Sequence, residues 1–532
     1  MSDSTKEMTK KEKEREQIEE KKRRIESRLN DPEFRSDDFI RQMNELEKRI
    51  ESLTKPLGDQ EPLGEEEEPF PPATEPGGDD TGLETETVET DEDQAAEEAP
   101  EITATTPQPP VKETEAPEQE TEIVPYEFTK WSILATGEGA GRIASLYYGQ
   151  RKNSAISDRI LLLNTAEADI RKIFMTLGTS VPKDFVERIR SEKAFRIGNF
   201  PRGAGNLWKN GEQAAREDPL ISDYIRGMGA EASDVLLGIA TLGGGTGCGS
   251  LPFILNSLAN WNIQVDDFAL VVWPFHFESP QRHFNAICGL SKLLASNGGP
   301  EMVILVDNSR LEEDFRDLTE VKRNYQINEK IVEVIDMMIA PGTSGSEKTI
   351  DTKDFTVWAN QFGARHFVPC LSLDMDPRIF KGFTPDNPSS FSSSLSAILD
   401  ITLKNSYASI EARTTLFAFF VIRVPEGERD DYPPDFVERC FEEWAEVNLP
   451  MRISGYTSVV YDPGKRNSLD VLLLLGGFDL GPFIGNSLSK FETISKVLTM
   501  SSRDIKPEEV GRLKEDLLEY VESNSQIHAN LS

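Results

Sequence analysis

The chain has 532 residues and a formal net charge of −35, so it is long enough for two or more domains and strongly acidic overall. The acidity is concentrated in one segment, because residues 56–125 hold 23 Asp and Glu against one Lys, whereas residues 1–55 carry 15 charges of each sign. The rest of the chain has no basic stripe, so we expect no nucleic-acid partner.

The four cysteines and four histidines lie far apart and show no metal-ligand spacing, so we expect no metal site built by the protein itself. The chain has no apolar signal region and no run of about 18 apolar residues. We therefore expect a cytoplasmic protein without direct membrane insertion.

Two N-terminal segments differ from the rest of the chain. Residues 1–55 are charged and amphipathic, which predicts a helical hairpin or coiled-coil arm, or alternatively a solvated charged helix without a partner. Residues 56–125 are rich in Pro, Glu, Thr and Gly and have almost no large apolar side chains. That composition predicts a disordered acidic linker.

From Tyr126 onward, short apolar runs alternate with helical patterns, as in a doubly wound α/β domain with a parallel sheet. Ligands of such sheets bind beyond the carboxyl ends of the strands, so the loops there should carry the chemistry. Six runs predict the strands: Phe128–Ala135, Ile160–Leu163, Ala194–Ile197, Val235–Ala240, Phe268–Val272 and Met302–Val306.

Glycine-rich loops follow three of these strands. Leu242–Ser250 has five glycines in nine residues, and glycine can adopt positive φ and bring its N–H group to an anion. The helix predicted at Pro252–Trp261 would point its positive end at the same place. Thr136–Arg142 and Arg202–Asn206 are glycine turns at the same sheet edge. Together the three loops predict a phosphate site, whereas a flexible linker would be longer.

These loops resemble those of the tubulin/FtsZ superfamily of GTP-binding filament proteins. Gly243–Gly249 is similar to the family's GGGTG[ST]G loop, and Trp273–Arg282 is similar to its KPFxFEGxxR motif. The resemblance implies a Rossmann-like GTP-binding domain, a central core helix and a second α/β domain with a mixed sheet. Other similar segments follow in the family's order: Asn164–Asp169, Gly203–Asn206 with Gly211–Ala215, and Asp307–Leu311.

The resemblance also implies roles for individual residues. The bound nucleotide would be GTP or GDP, with Mg²⁺ held mainly by its phosphates. Glu278 would bind the ribose hydroxyls, Arg282 would approach the terminal phosphates, and Asn308 would lie near the base, although Glu278 and Arg282 could instead form only a surface ion pair. The other implied contacts are Gly139, Ala140, Gly141, Arg142, Asn164, Gly203, Ala204, Gly205, Asn206, Gly243, Gly244, Gly245, Thr246 and Gly247.

Two departures from the family pattern concern the base. Arg142 stands where the family commonly has an Asn that contacts the base, and Val272 with Trp273 replaces a Thr-Lys pair. These changes leave the expected phosphate binding intact but bring guanine selectivity into question.

The amphipathic run Asn324–Ile339 resembles the family's core helix, whose start contacts guanine. Two alignments are open. The Pro341–Gly342 stop selects Asn324 as the guanine contact, whereas the Asn-acidic pair of the family selects Asn328. Tyr325 is available to stack on the base in either alignment.

In this family, an acidic loop after the core helix inserts into the next subunit's site, where its carboxylates polarise the attacking water. The corresponding loop is Thr349–Asp354, with Asp351 and Asp354 as the expected catalytic acids. A rival alignment retains only one acid, and the leading Asn of the motif is absent in both. Lys353 would partly neutralise the two acids. The expectation of hydrolysis therefore rests on fewer preserved residues than the expectation of nucleotide binding.

Four further runs predict the strands of the second α/β domain, namely Phe367–Leu373, Leu416–Val424, Ile453–Tyr461 and Val471–Leu475. The segments Pro450–Tyr461 and Asp470–Phe478 should pair in one mixed sheet, followed by helices at Pro482–Met500 and Lys506–Glu522. The expected division of the chain is residues 1–55 as the arm, 56–125 as the linker, 126–320 as the nucleotide-binding domain, 321–343 as the core helix, and 344–532 as the acid loop with the C-terminal domain and terminal helices.

The leading hypothesis is a cytoskeletal GTPase that polymerises head to tail with copies of itself, in cell division or cell shape. An adaptor or membrane-anchor protein would bind the N-terminal arm, at the division site or beneath the membrane. The alternative is a structural scaffold filament that binds nucleotide with little or no hydrolysis and assembles partly through the arm. A dinucleotide-dependent oxidoreductase is a weak third hypothesis, because Asn164 and Thr165 stand where an acidic ribose reader is needed.

Overall fold

The structure is a computed structural model that describes residues 129–150, 159–177, 183–200, 203–295, 298–342, 346–348, 352–379, 388–501 and 504–531. The predicted arm at residues 1–55 and the predicted linker at residues 56–125 lie outside these described residues.

The first half of the described chain alternates strands and helices. Its elements are β1 (Trp131–Thr136), α1 (Glu138–Gln150), β2 (Ile160–Asn164), α2 (Glu167–Leu177), α3 (Lys183–Glu192), β3 (Ala194–Arg196), α4 (Trp208–Glu217), α5 (Ile221–Gly227), β4 (Val235–Thr241), α6 (Gly245–Leu255), β5 (Asp266–Trp273), α7 (Pro280–Leu294), β6 (Met302–Asp307) and α8 (Asn308–Glu312).

The second half begins with a long helix. Its elements are α9 (Glu320–Ile339), β7 (Ser346–Lys348), α10 (Thr352–Phe362), β8 (His366–Met375), α11 (Pro388–Lys404), β9 (Phe417–Pro425), α12 (Pro434–Asn448), β10 (Ser454–Asp462), β11 (Leu469–Gly476), α13 (Gly481–Ser501) and α14 (Pro507–Leu531). No helix within the described ranges combines the length and the apolar character that crossing a membrane requires.

All these strands join one eleven-stranded sheet with the order β3-β2-β1-β4-β5-β6-β8-β11-β9-β10-β7. The strands from β3 to β6 are parallel, which confirms the predicted doubly wound parallel sheet. β8 continues the sheet by pairing in parallel with β6, so the predicted border near residues 320–344 falls within a continuous sheet. Beyond β8, the sheet is mixed, because β11 is antiparallel to both β8 and β9.

The expected pairing of Pro450–Tyr461 with Asp470–Phe478 is wrong. β10 and β11 follow each other in the chain, yet β10 pairs in parallel with β9, and β11 pairs with the other edge of β9. The apolar side chains of β9 alternate between the two faces, and this central position buries both faces of the strand.

Side chains of the parallel strands alternate between two apolar layers. Ile133 and Ala135 of β1 belong to the layer that includes residues of α1, α2 and α9, whereas Leu134 belongs to the layer that includes residues of α4, α6 and α7. Both faces of the strands are therefore buried, as expected for a parallel sheet covered by helices on each side.

The two terminal helices pack on helices of the first half of the described chain. Phe491 of α13 stacks on Phe284 of α7, with ring centroids 5.2 Å apart. Glu509 of α14 pairs with Lys209 of α4 at 2.5 Å. Although these helices follow the mixed strands in the chain, they cover helices of the first half.

The core helix α9 is joined to the mixed strands by a buried charge cluster. Arg423 of β9 pairs with Asp336 of α9 at 2.8 Å and with Asp470 of β11 at 3.5 Å. The Asp470 side chain is 3% exposed, so its negative charge depends on its two cationic partners, Arg423 and Lys465.

Arg423→Met should destabilise the protein, because it leaves the buried Asp470 and the partly buried Asp336 with one cation fewer. We expect a loss of about 3 kcal/mol in the free energy of unfolding, measured by urea denaturation. Arg378→Met is the matched control, since Arg378 pairs with Asp376 at the surface. It should leave the unfolding midpoint unchanged, and equal effects of the two substitutions would contradict this account of the cluster.

Candidate functional site

A cavity of about 740 Å³ lies beyond the carboxyl ends of β1, β4 and β5, at the edge where the sequence places its glycine loops. Most of the predicted contact residues line it. They are Gly139, Arg142, Asn164, Gly203, Ala204, Gly205, Asn206, Gly243, Gly244, Gly245, Thr246, Gly247, Glu278, Arg282, Asn308, Asn324 and Asn328.

Helix α6 begins at Gly245, inside the glycine loop, so the predicted start at Pro252 is wrong. Glycine is a poor helix former, but burial of nearly all of α6 offsets this local preference. The first N–H groups of a helix have no partner within the helix. The early start therefore brings free N–H groups and the positive end of α6 to the cavity wall.

The sequence suggests that glycines are needed in this loop because they can adopt positive φ. The structure corrects this reason, because glycines of the loop instead allow close packing of neighbouring backbone. None of the glycines from Gly243 to Gly249 is among the described residues with positive φ. A Cβ at Gly249 would lie 1.9 Å from the Trp208 carbonyl oxygen of α4, and a Cβ at Gly245 would lie 2.6 Å from the Leu207 nitrogen. By contrast, a Cβ at Gly244 would meet nothing within 4 Å.

The two other glycine turns do use the left-handed conformation. Gly137, which precedes α1, has a φ of +91°, and Gly203 and Gly205 have φ values of +67° and +57°. These turns bring the start of α1 and residues 203–206 to the same cavity as the start of α6.

Thr165 connects the loops from inside the protein. Its buried hydroxyl lies 2.7 Å from the Thr246 hydroxyl and accepts a hydrogen bond from the Ala204 nitrogen at 3.0 Å. One side chain after β2 therefore contacts both the loop at 203–206 and the first turn of α6.

Asn285 of α7 is a second connection, and sequence reasoning missed it. Its side-chain nitrogen donates to the carbonyl oxygens of Asn206 at 2.8 Å and Gly243 at 3.1 Å. Its side-chain oxygen accepts from the Trp208 nitrogen at 3.2 Å. Asn285 is fully buried, and α7 contains several other polar residues, so no sequence signal distinguishes it.

Three predicted contacts do not line the cavity. Ala140 and Gly141 are buried within α1, where a Cβ on Gly141 would lie 2.3 Å from the Ile173 side chain. Gly141 thus allows α1 to pack on α2. Tyr325 lies on another face of α9, and its hydroxyl accepts from the Gln150 side chain at 3.2 Å.

Asn164 presents an unused donor to the cavity. The residue is 1% exposed, and its side-chain oxygen accepts from the Ala166 nitrogen at 3.1 Å. Its side-chain nitrogen is buried and has no hydrogen-bond partner among the described residues. Because an unpaired buried donor costs free energy, this nitrogen is suited to a ligand oxygen.

Glu278 and Arg282 form an ion pair and also line the cavity. The ion pair and contacts to a ligand, which the sequence offers as alternatives, are therefore compatible. Their charged atoms are 3.2 Å apart, and the second carboxylate oxygen of Glu278 accepts from the Phe275 nitrogen at 3.1 Å. Burial raises the pKa of Glu278, and the charge of Arg282 opposes this shift.

Helix α9 forms the opposite wall. Asn324 and Asn328 both line the cavity, because residues four apart lie on one face of a helix. The two alternative sequence alignments therefore select side-chain amides on the same wall of the cavity. Arg323 also lines the cavity and pairs with Glu312 at 2.8 Å, while Arg142 pairs with Glu138.

Of the two predicted catalytic acids, only Asp354 lies within the described residues. Asp351 lies outside the described residues, and Asp354 lies in the first turn of α10. The neighbouring Lys353 pairs with Asp266 and Glu301, which stand at the amino ends of β5 and β6. β5 has eight residues, so the start of α10 is separated from the cavity by the strand length of about 25 Å.

Known proteins resemble this chain in sequence and in fold. The model of the Tubulin/FtsZ family GTPase domain matches residues 118–315. Cell division protein FtsZ 1 of Halobacterium salinarum is 34% identical over 132 residues, which are 25% of this chain and 31% of that protein. The chain therefore spans about a third of the length of this curated relative.

Solved structures with the same fold include two archaeal proteins. The GDP-bound monomer of CetZ1 from Haloferax volcanii aligns with a TM-score of 0.54 and 17% identity, over 69% of this chain and 100% of CetZ1. The GTPγS-bound protofilament of CetZ2 from the same organism gives a TM-score of 0.54 and 19% identity, again over 69% of this chain and 100% of CetZ2. At these identities, the likeness shows the fold alone.

Asn285→Leu should weaken GTP binding, because it removes the side chain that connects the loops at Asn206 and Gly243. We expect a loss of about tenfold or more in affinity, measured with a fluorescent GTP analogue. If the phosphates lie against the connected loops, the loss should be larger for GTP than for GMP.

Asn524→Leu is the matched control for this substitution. Asn524 is also a buried asparagine that donates to a glycine carbonyl, that of Gly477 at 3.1 Å, but it lies in α14. It should leave GTP affinity unchanged even if stability falls. Equal losses of affinity in the two variants would show that Asn285 acts only through overall stability.

Proposed function

We propose that this chain, a member of the tubulin/FtsZ superfamily by its GTPase domain at residues 118–315, binds GTP in the cavity and hydrolyses it within a head-to-tail polymer. The observation that carries the proposal is the convergence of three glycine loops and the start of α6 on one cavity. Backbone N–H groups and a helix N-terminus are a favourable setting for phosphates.

The proposed position of the nucleotide follows from the chemistry of the walls. The phosphates would lie against residues 203–206 and 243–247, with Asn164 donating to a phosphate oxygen. Glu278 would accept hydrogen bonds from the ribose hydroxyls, and the base would lie against Asn324 and Asn328 of α9. Mg²⁺, when bound, would be held mainly by the phosphates and would neutralise their charge.

Hydrolysis in this proposal needs a second copy of the chain. What supports this is the separation between the cavity and the start of α10, which carries Asp354 at the opposite edge of the sheet. The start of α10 is too far from the cavity of its own subunit to contribute to it, but it would lie beside the cavity of a copy stacked on the cavity face. Asp351 and Asp354 would then orient and polarise the attacking water.

Exposed apolar side chains on both faces are compatible with such stacking. Phe277 and Val321 stand beside the cavity and are 70% and 75% exposed. Val357 and Trp358 of α10 are 52% and 36% exposed. A copy whose α10 covered the cavity would remove both sets of side chains from water.

The cellular role that we propose is in cell division or cell shape, in the cytoplasm and at the division site or beneath the membrane. The relative from Halobacterium salinarum is named a cell division protein, which supports this role. Residues 1–55 would provide the binding site for an adaptor or membrane-anchor protein.

A scaffold filament with little or no hydrolysis is the second candidate function. The observation that favours it is Lys353, whose positive charge lies next to Asp354 in the chain. A cation beside a catalytic carboxylate reduces its ability to polarise water.

Asp354→Ala separates hydrolysis from binding. In the proposed GTPase, the substitution should lower GTP turnover by about 100-fold or more and leave GTP affinity unchanged. Wild-type protein should sediment as polymer with GTP and not with GDP. Unchanged turnover in Asp354→Ala would remove this carboxylate from the mechanism, and sedimentation with neither nucleotide bound would contradict the proposed function.

A mixing experiment tests catalysis between subunits. Gly244→Glu should prevent GTP binding, because the negative charge of the new side chain would repel the phosphates. The substitution should not disturb the fold, since a Cβ at Gly244 meets nothing within 4 Å. Gly244→Glu and Asp354→Ala should each be inactive alone. Their mixture should recover part of the wild-type turnover, since the first supplies the acid and the second the cavity. No recovery despite co-sedimentation would contradict catalysis between subunits.

A further inference from the structure

The C-terminal helix α13 contacts the segment that forms one wall of the cavity. This segment, Pro274–Glu278, connects β5 to α7 and carries Phe275, Phe277 and Glu278 into the lining. Lys490 of α13 donates a hydrogen bond to the His276 carbonyl oxygen of this segment. The helix that follows the last strand of the sheet is thus bonded to the backbone of the cavity wall.

Three buried side chains make a second connection between α13 and the segment. Ser487 of α13 accepts a hydrogen bond from the Trp273 ring nitrogen at 2.9 Å and lies 2.7 Å from a ring nitrogen of His283. The other His283 ring nitrogen lies 3.2 Å from the Phe275 carbonyl oxygen and 3.1 Å from Lys490 Nζ. All three side chains, Trp273, His283 and Ser487, are fully or almost fully buried.

The charge of Lys490 acts on the same segment. Burial and the charge of Lys490 lower the pKa of His283 to about 4, so this imidazole is neutral at physiological pH. Lys490 also favours the ionised form of Glu278, although burial raises the pKa of that carboxyl overall. Two effects of Lys490, the bond to His276 and the charge near Glu278, therefore favour a fixed carboxylate at the cavity wall.

Trp273 is part of the connection between α13 and the wall segment. The residue stands where the sequence departs from the family pattern, and its side chain turns away from the cavity to pack on Phe483 at 5.1 Å between ring centroids. The wall segment is thereby attached to α13 immediately before its first residue, through Trp273, and at its centre, through His276.

We propose that α13 is a specificity-determining part of the nucleotide site, in which Lys490 and Ser487 position Glu278 to recognise the ribose of the bound nucleotide. The proposal rests on the proposed GTP binding. Lys490 and Ser487 are positioning residues, because they act on the nucleotide through the Pro274–Glu278 segment and not by contact.

The test is the ratio of the affinities for GTP and 2′-deoxyGTP, measured by calorimetry on the full-length chain. Wild-type protein should prefer GTP by about tenfold, since a carboxylate that accepts from a hydroxyl forms a charge-assisted hydrogen bond. Lys490→Met keeps the apolar stem of the side chain and should reduce this preference to about twofold. A loss of general electrostatic attraction would weaken both nucleotides equally, so the ratio isolates the positioning of Glu278.

Two further variants complete the design. Lys490→Arg retains a donor and a positive charge and should keep most of the preference. Lys514→Met removes a lysine that joins the same two terminal helices, through Glu492 at 2.6 Å, and should leave the preference at the wild-type value. Ser487→Ala, a small substitution, should lower the preference in the same direction as Lys490→Met and provides the test if Lys490→Met does not fold.

The outcomes separate this inference from the proposed function. If wild-type protein binds neither nucleotide, the proposed function fails. If wild-type protein prefers GTP and both Lys490→Met and Ser487→Ala keep that preference, α13 has no role in specificity and the inference is overturned.

Discussion

The backbone contact between α4 and α6 is the constraint on which the cavity depends. A Cβ at Gly249 would lie 1.9 Å from the Trp208 carbonyl oxygen, and a Cβ at Gly211 would lie 2.2 Å from the Gly245 carbonyl oxygen. Only glycine permits helices this close, and their closeness places the loop before α4 beside the start of α6. Thr165 and Asn285 then connect the same loops by hydrogen bonds. The cavity is therefore a preformed arrangement of backbone groups.

The continuous sheet gives the molecule two functional edges. The carboxyl ends of β1, β4 and β5 hold the cavity, and the amino ends of β5 and β6 hold the first turn of α10 through Lys353. Because one set of rigid strands joins the two edges, an acid on α10 is held at a fixed distance from the cavity of its own subunit. This geometry is the physical reason for proposing that each active site combines two copies of the chain.

Much of this arrangement could be predicted from the sequence, because apolar runs and glycine loops are local signals. The strands of the parallel half begin and end within a few residues of the predicted bounds, and most of the predicted contacts line one cavity. The start of α6 could not be predicted, since tertiary packing overrides the low helix propensity of glycine at Gly245 and Gly247. Tyr325 does not line the cavity, because the face that α9 turns toward the cavity depends on the elements against which this helix packs.

Long-range contacts account for the other differences. The connection from β10 to β11 is short enough for a hairpin, yet both strands pair with β9, which only the complete sheet determines. Asn285 is one of several polar residues of α7, and its three partners come from other segments. The contact of α13 with the cavity wall joins residues about 200 positions apart, for example Ser487 and His283.

The central claim is that a complete active site requires two copies of the chain. Its most direct test is GTP turnover per subunit as a function of protein concentration, with bound nucleotide measured in the same samples. The account predicts that GTP is bound at all concentrations, while turnover per subunit is close to zero at low concentration and rises once polymer forms. A turnover per subunit that is the same at every concentration would contradict it.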